Sequence, residues 1–212
     1  KTERTRCVIV GEDLGTVPEG FRERLGAADV LSYRVLWFER TGPSFAAPER
    51  YPPLAATAVS THDLPTIARW WKGADIEEKA ALGRIDADAQ AAASLERARD
   101  KRALAEAIDA AGVTDGAALA PYAPHDAEVT AAIHRYAGAT SSSLVLVQAD
   151  DLALETTALN LPGTDRERSN WRRKVRTSVD ALWQTPAARL TVDGFASSDG
   201  PAYRMAQQDT DE

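Results

Sequence analysis

The sequence contains a single cysteine among its 212 residues, which excludes an internal disulfide. Cys7 lies within an apolar run, and we expect it to be an inert thiol in the core. No apolar run reaches the roughly 18 residues of a membrane-spanning helix, and Lys1-Thr2-Glu3-Arg4 lacks the apolar stretch of a signal peptide. We therefore predict a cytoplasmic protein that makes no contact with a membrane.

Positive charge is also scarce. The chain has 25 Lys and Arg residues against 32 Asp and Glu residues, a formal net charge of −7. A nucleic-acid groove needs a clustered positive surface, so this balance argues against nucleic acid and favours a neutral or small polar ligand. The sequence also lacks zinc-ligand spacing of Cys and His, a phosphate-cradling glycine-rich loop and a serine nucleophile elbow. We expect neither a metal nor another cofactor.

Apolar runs rich in Val, Leu, Ile and aromatic residues, without helical spacing, predict four β-strands. These are residues 6–10, 32–38, 55–60 and 143–147. Pro18 and Gly26 frame a short helix between the first two runs, which makes a strand–helix–strand unit. Near-continuous apolar strands joined by helices predict a parallel sheet buried on both faces, as in an α/β barrel or a doubly wound fold.

The rest of the chain is predicted to be helices and loops. Residues 41–53 carry four prolines and are expected to form a long loop. Residues 76–111 are rich in Ala, Glu, Arg and Lys and predict two or three amphipathic helices, part of a helical insertion over 76–137. Further helices are predicted over residues 128–137 and 170–183, and the polar end, 197–212, is expected to be frayed.

Acidic groups directly follow three of the predicted strands. Glu12-Asp13 follows the first, His62-Asp63 the third, and Asp150-Asp151 the fourth. In barrels of parallel strands the catalytic groups come from the carboxyl ends of the strands. Glycosyl transfer needs such carboxyl groups, one to protonate the leaving oxygen and others to bear or stabilise the oxocarbenium charge.

Each motif also has a purely structural reading. Asp13 can cap the following turn, His62 and Asp63 can lock a loop through a hydrogen bond, and the 150–151 pair is more simply explained as capping the next helix. The five Trp residues offer planes on which sugar rings could stack, although most buried Trp residues belong to a core. The cations that follow Trp171 are more simply a solvated helix face.

Four motifs, in this order, resemble the bacterial 4-α-glucanotransferases, also called amylomaltases. They are Gly11-Glu12-Asp13-Leu14-Gly15-Thr16-Val17-Pro18, Ser32-Tyr33-Arg34-Val35-Leu36, Val59-Ser60-Thr61-His62-Asp63-Leu64-Pro65-Thr66 and Asn160-Leu161-Pro162-Gly163-Thr164. The resemblance covers about Val8 to Lys174 and is loose between Ile76 and Ala137.

The resemblance implies a (β/α)8 barrel and a retaining reaction. Glu12 resembles the family's acid/base, and Asp63 resembles the transition-state stabiliser. It further implies that His62 binds sugar hydroxyls and that the loop with Asn160, Pro162 and Gly163 contacts sugar. A crowded acidic cleft could raise one carboxyl pKa, as a group that acts as acid and then as base requires.

The family's nucleophile strand precedes the Glu-Asp-Leu-Gly motif, whereas only ten residues precede Gly11 here. We therefore expect the nucleophile outside this chain, because Arg84-Ile85-Asp86 resembles the nucleophile motif only by coincidence, in the helical insertion. Two smaller departures are Asp150 in place of the family's Glu and Ser169 in place of Pro.

The expected architecture is the C-terminal half of the barrel, strands five to eight. Residues 1–75 would hold strands five to seven, 76–137 the helical insertion, 138–196 strand eight with the following helix, and 197–212 a flexible tail.

The expected activity is transfer of α-1,4-glucan segments between maltooligosaccharides or starch-derived glucans, with the chain inactive on its own. The alternatives are a non-catalytic fragment that binds glucan or a partner, and a hydrolytic α-glucosidase. The expected partners are the missing N-terminal half of the barrel and, because an open half-barrel exposes strand edges and apolar surface, a second copy of the chain.

Overall fold

The computed structural model describes residues 7–114, 119 and 124–196. Its centre is a sheet of four parallel strands in the order β1-β2-β5-β6. These strands are β1 (Val10–Gly11), β2 (Leu31–Val35), β5 (Ala55–Ala58) and β6 (Leu144–Leu146). An antiparallel hairpin pairs β3 (Arg40–Thr41) with β4 (Ser44–Phe45). The α/β class with a parallel sheet is confirmed, and the strands are shorter than the apolar runs predicted.

Helices follow most of the strands of the sheet. They are α1 (Phe21–Ala27), α2 (Ile67–Lys72), α3 (Ala74–Ala81), α4 (Ala87–Ala110), α5 (Ala127–Gly138), α6 (Ala149–Leu152), α7 (Val179–Leu182) and α8 (Pro186–Ala196). Short 3-10 turns cover Leu36–Phe38 and Pro48–Arg50. The predicted helices near 18–26, 76–111 and 128–137 are therefore confirmed. Within the described residues, no helix is both long and apolar enough to cross a membrane.

Side-chain caps explain where the longer helices begin. Asp86 Oδ1 accepts from the Ala89 N–H at 2.8 Å at the start of α4, and Asp126 accepts from two N–H groups of the first turn of α5. Such caps satisfy backbone donors that have no partner inside the helix. Asp86 therefore caps a helix, which explains its presence in the sequence without a catalytic role.

The core lies between the sheet and the helices of the segment 67–137. Trp37 and Trp70 stack with ring centroids 4.5 Å apart, and Trp71 is buried beside them. Arg97 of α4 lies over the Trp70 ring and forms a two-pronged ion pair with Asp75 of α3 at 2.8 and 2.9 Å. These three Trp residues therefore belong to the core, as the structural reading of the sequence predicted.

A buried polar contact joins β5 to the start of the edge strand β6. The hydroxyl oxygens of Thr57 in β5 and Ser142 before β6 lie 2.8 Å apart, both buried. Ser143 N–H donates to the Pro53 carbonyl at 3.0 Å at the same end of these strands. Together these bonds fix the register in which Ala56 faces Leu144.

Several predictions of local structure were wrong. Cys7 is exposed, because it precedes an edge strand and does not reach the core. The stretch 41–53 is not a plain loop, since it contributes to the β3–β4 hairpin and forms a 3-10 turn. Helix 170–183 is absent apart from α7, because the Arg173 side chain binds Asp150 and the Arg176 backbone N–H binds Glu155.

The outer strands also differ from the expectation of a sheet buried on both faces. β5 is buried along its whole length, whereas Leu144 and Leu146 of β6 and the residues 8–10 around β1 are exposed. The predicted tail, residues 197–212, lies outside the described residues, as do residues 1–6.

Candidate active site

The carboxyl ends of the parallel strands open into one cavity of about 630 Å³. Its wall includes Glu12 from the loop after β1, residues 60–64 from the loop after β5, and residues 147–150 after β6. Parallel strands carry their carboxyl ends to the same edge of a sheet, so three motifs far apart in sequence meet here. The structure thereby brings together Glu12, His62 and Asp63, three of the predicted site residues.

Glu12 and Asp13 are neighbours in the chain but face opposite ways. Glu12 is exposed and lines the cavity, whereas Asp13 is buried at 2% exposure. Asp13 accepts hydrogen bonds from Ser32 Oγ at 2.7 Å, Tyr33 N–H at 2.8 Å and Arg22 Nε at 2.9 Å. Asp13 therefore does more than cap the following turn, because its carboxylate links this loop to α1 and β2.

These contacts set the charge of Asp13. Burial acts to raise its pKa, but hydrogen bonds from Ser32, the Tyr33 N–H and Arg22 outweigh it and lower the pKa below its ordinary value. The phenol of Tyr33 lies in the cavity wall, where burial and the nearby Glu12 carboxylate raise its pKa. Tyr33 thus remains a neutral hydroxyl at physiological pH, available as a hydrogen-bond donor.

His62 and Asp63 form a partly open pair at the other wall. His62 Nε2 lies 3.5 Å from Asp63 Oδ2, and their side chains are 57% and 45% exposed. The Asp63 N–H donates to Thr61 Oγ1 at 3.2 Å, which shapes the turn that follows β5. Both side chains line the cavity and remain open to solvent.

Asn160 reaches the same place from a distant loop. Its Nδ2 donates to Asp63 Oδ1 at 2.6 Å, so the amide orients the carboxylate. Pro162 and Gly163 lie in the same loop and are exposed, but neither lines the 630 Å³ cavity. Gly163 adopts φ 76°, and its carbonyl accepts from Arg84 Nη1 at 2.6 Å. The structure therefore brings Asn160 into contact with Asp63, whereas Pro162 and Gly163 lie in the same loop outside the cavity.

The two acids of the third motif, Asp150 and Asp151, have different surroundings. Asp150 lines the cavity and pairs with Arg173, whereas Asp151 is fully buried and accepts from the Ile67 N–H at 2.8 Å. Neither side chain caps α6, although both lie in its first turn. The prediction of negative charge at the start of the next helix agrees with this position. Asp151 has a further role that the sequence did not indicate, because its carboxylate satisfies the first turn of α2, which follows the His62-Asp63 loop.

The base of that loop is fixed by further buried bonds. Ser60 Oγ donates to the Pro65 carbonyl at 2.8 Å, and Thr66 Oγ1 donates to the Glu155 carbonyl at 2.5 Å. Glu155 is 2% exposed and accepts from the Arg176 N–H at 2.9 Å. Of the cations that follow Trp171, Arg173 reaches inward to Asp150, whereas Arg172 and Lys174 are exposed. The solvated surface that composition favoured therefore holds for two of the three, although they lie on no helix.

Some residues of the site carried no strong signal in sequence. Tyr33 and Gln148 line the cavity but were identified only as parts of longer motifs. Trp171 has its ring 5.1 Å from that of His62, and its position depends on a loop whose path the sequence pattern does not give. Only the adjacency of Asn170 and Trp171 to the Asn160 motif could have pointed to them.

Comparison with known proteins agrees with the motifs. The sequence profile of a family described as 4-alpha-glucanotransferase matches residues 1–180. The 4-alpha-glucanotransferase of Haemophilus influenzae is 31% identical over 190 residues, which are 88% of this chain and 27% of that protein. The Mycobacterium tuberculosis protein of the same name is 35% identical over 179 residues, 81% of this chain and 24% of its own length. The chain thus spans about a quarter of these curated relatives.

Solved structures give the same picture. The crystal structure of the amylomaltase from Corynebacterium glutamicum matches with a TM-score of 0.83 and 26% identity, over 91% of this chain and 29% of that one. The amylomaltase from Streptococcus agalactiae, solved in complex with acarbose, matches with a TM-score of 0.54 over 90% of this chain and 32% of that one. At 18% identity, the second comparison supports the fold alone.

Proposed function

Because the chain belongs to the 4-alpha-glucanotransferase family, we propose that it forms part of an enzyme that transfers α-1,4-glucan segments between maltooligosaccharides. The single observation that supports this most strongly is the meeting of Glu12, His62 and Asp63 in one cavity at the carboxyl edge of a parallel sheet. The hydrogen bond from Asn160 to Asp63 adds the fourth motif of the family to the same place.

We further propose that this chain supplies strands five to eight of a (β/α)8 barrel. Residues 1–75 and 138–196 would form the barrel half, and 76–137 would be the helical insertion. Its coverage of about a quarter of its relatives supports this, as do the exposed apolar side chains Val8, Ile9, Leu144 and Leu146 at both edges of the sheet. The remaining strands would cover those edges and supply the nucleophile.

In this reaction Glu12 acts first as the acid. It donates its proton to the glycosidic oxygen while a nucleophilic carboxylate from the rest of the barrel attacks the anomeric carbon. The ionised Glu12 then accepts the proton of the acceptor sugar's hydroxyl, which attacks the glycosyl–enzyme bond and restores the starting configuration. Water in place of the sugar acceptor would give hydrolysis.

Asp63 and His62 act on the sugar at the cleaved bond. The Asp63 carboxylate places a negative charge where the oxocarbenium ion develops, and Asn160 fixes its orientation in advance. His62 offers a ring nitrogen to sugar hydroxyls, and the neutral Tyr33 phenol offers a donor on the opposite wall.

The decisive experiment compares Glu12→Gln with the parent in the full-length enzyme, using maltotriose and mass spectrometry. The parent should give glucose with maltopentaose and longer products, and Glu12→Gln should give none while keeping its circular dichroism and melting temperature. Glu19→Gln, an exposed acid outside the cavity, is the matched control and should retain transfer. Retained transfer in Glu12→Gln would refute the assignment.

The 212-residue chain is tested in the same assay. An unchanged substrate with a folded chain agrees with a nucleophile elsewhere in the barrel, and calorimetry with maltoheptaose then decides whether the chain is a glucan-binding fragment. A ladder of longer products would place a nucleophile within these residues. Products that are only shorter than the substrate would identify a hydrolase.

A further inference from the structure

Trp171 combines an exposed ring, a left-handed backbone and a ring contact with His62. Its side chain is 58% exposed, its backbone has φ 61°, and its ring lies 5.1 Å from the ring of His62 at an angle of 49°. A bulky residue in the left-handed region is an energetically unfavourable outlier, and such residues cluster at functional sites. Burial in a core does not explain the position of this ring, because more than half of it faces solvent.

Hydrogen bonds of Trp171 itself and of its neighbour Asn170 hold the strained backbone in place. The Trp171 N–H donates to the Leu159 carbonyl at 3.0 Å. Asn170 accepts from the Leu161 N–H and donates to Thr164, so the loop is closed on itself. A strained residue persists only where its surroundings over-determine it, as they do here.

Arg168 ties this loop to the helical segment. Its guanidinium donates to the Ala158 carbonyl at 2.5 Å, to Asn170 Oδ1 at 2.7 Å and to Glu78 Oε1 at 3.0 Å. Glu78 also pairs with Arg69 of α2, so the loop is anchored to two helices. The exposed Trp171 ring is therefore presented on a rigid support, which limits the entropy lost when a ligand binds.

The surface around Trp171 continues the candidate active site. A polar depression of about 510 Å³ has Trp171 and Arg172 in its wall and begins at Asn160, the residue that bonds Asp63. A sugar ring has an apolar face of C–H groups and a rim of hydroxyls, so it fits an exposed aromatic plane surrounded by donors and acceptors.

We propose that Trp171 is a substrate-binding residue, on whose ring a glucose unit of the bound glucan packs, next to the unit that His62 contacts. This inference rests on the proposed function and adds to it a binding position outside the 630 Å³ cavity. The Arg168–Glu78 contact has a positioning role, because it holds the loop that presents the ring.

The test measures maltoheptaose binding by calorimetry in the full-length enzyme with Glu12→Gln, so that no turnover interferes. Trp171→Ala should weaken the Kd about tenfold, as expected for the loss of one aromatic contact, and Trp171→Tyr should stay within about threefold of the parent. Trp183→Ala, a comparably exposed Trp that lines neither cavity, should leave the Kd unchanged.

A second measurement covers the case in which Trp171→Ala fails to fold. In the enzyme with Glu12→Gln, maltoheptaose should protect one fluorescent Trp from acrylamide, and this protection should vanish in Trp171→Phe. An unchanged Kd in folded Trp171→Ala, or a Trp171 that acrylamide cannot reach without ligand, would overturn the inference. Absence of maltoheptaose binding in the Glu12→Gln parent itself would overturn the proposed substrate class, and this inference with it.

Discussion

Asn160 donates a hydrogen bond of 2.6 Å to Asp63, although 97 residues separate the two in the sequence. The bond joins the loop after β5 to the loop that follows α6. Because Asp63 is 45% exposed, the amide also restricts a carboxylate that would otherwise rotate freely in solvent. Two loops from different strands thus determine the geometry of one candidate catalytic group.

Asn160→Ala tests this bond in the full-length enzyme. We expect kcat/KM for maltotriose to fall about tenfold, since a hydrogen bond to a charged group contributes on the order of 1.5 kcal/mol. Asn160→Asp should lose more, because a second carboxylate would lie against Asp63. Thr157→Ala, an exposed change in the same connecting segment, should keep the parent rate. Equal rates for Asn160→Ala and the parent would show that Asp63 needs no such support.

Asp13→Asn tests the buried carboxylate beside Glu12. Asp13 has a lowered pKa in the folded protein, so its contribution to stability is present above its ordinary value near 3.8 and is lost as the pH falls through the folded value. Urea unfolding at pH 7 should show a loss of about 2 kcal/mol in Asp13→Asn, and this loss should shrink as the pH falls below 3.8. The exposed control Glu23→Gln should change little at either pH. A loss of equal size at both pH values would show that charge is not the cause.

The buried pair His134 and Asp151 gives a second pH prediction. Asp151 Oδ2 lies 3.7 Å from His134 Nε2, and within the described part of the chain neither atom has a hydrogen-bond partner. Burial lowers the pKa of His134 to about 4 and raises that of Asp151 to about 7. Between about pH 4 and 6.5 the folded pair holds one proton, on Asp151, and the unfolded pair also holds one, on His134. The pair therefore adds almost no pH dependence to stability in this range.

Single substitutions should separate the opposite effects of His134 and Asp151 on the pH dependence of stability. Asp151→Asn leaves His134, whose lowered pKa makes stability rise between about pH 4 and 6.5, by up to about 1.4 kcal/mol per pH unit. His134→Gln leaves Asp151, whose raised pKa makes stability fall as the pH rises from about 4 to 7. Urea unfolding across this range measures both slopes. Slopes of the same sign in the two variants would contradict the assignment.

Gly163→Ala tests the conformation of the Asn160 loop. Gly163 has φ 76°, and a Cβ there would lie 2.8 Å from Arg84 Nη2. Gly73 between α2 and α3 has a similar φ of 75° with no atom near its Cβ position, so Gly73→Ala is the matched control. Both should lose about 1–2 kcal/mol of stability, since Ala disfavours the left-handed region. Only Gly163→Ala should also weaken maltoheptaose binding, and equal binding by the two variants would count against a role for this loop.

The sequence was sufficient where the signal is local. An apolar run followed by a polar group predicted β5 and β6, with carboxyl ends within two residues of those observed. The meeting of Glu12 with Asp63 follows once the strands are parallel. Spacing of apolar residues on an Ala-rich background likewise predicted α4. Roles within the reaction, the half-barrel arrangement and the cytoplasmic location stay predictions.

Sequence reasoning failed where distant partners decide the local structure. Residues 170–178 have a helix-like composition, but Arg173 binds Asp150 and the Arg176 N–H binds Glu155, so the backbone follows those acids instead of a helix. The β3–β4 hairpin was missed because its strands have only two residues each, and Gly42 at φ 61° makes the turn between them. Such contacts are not encoded in the periodicity of a single segment.

The pairing of β5 with β6 also affects how the chain folds. Thr57 and Ser142, whose hydroxyls meet, are 85 residues apart, so this side of the sheet forms only after a very long loop has closed. Folding rates fall as contact order rises, and loop-closure entropy must be overcome before the pairing is gained. Helices α3, α4 and α5 can form from local contacts and shorten that search. We therefore expect β6 to be the last strand to join the sheet. The wall of the cavity that contains Asp150 should then be the last part of the site to form.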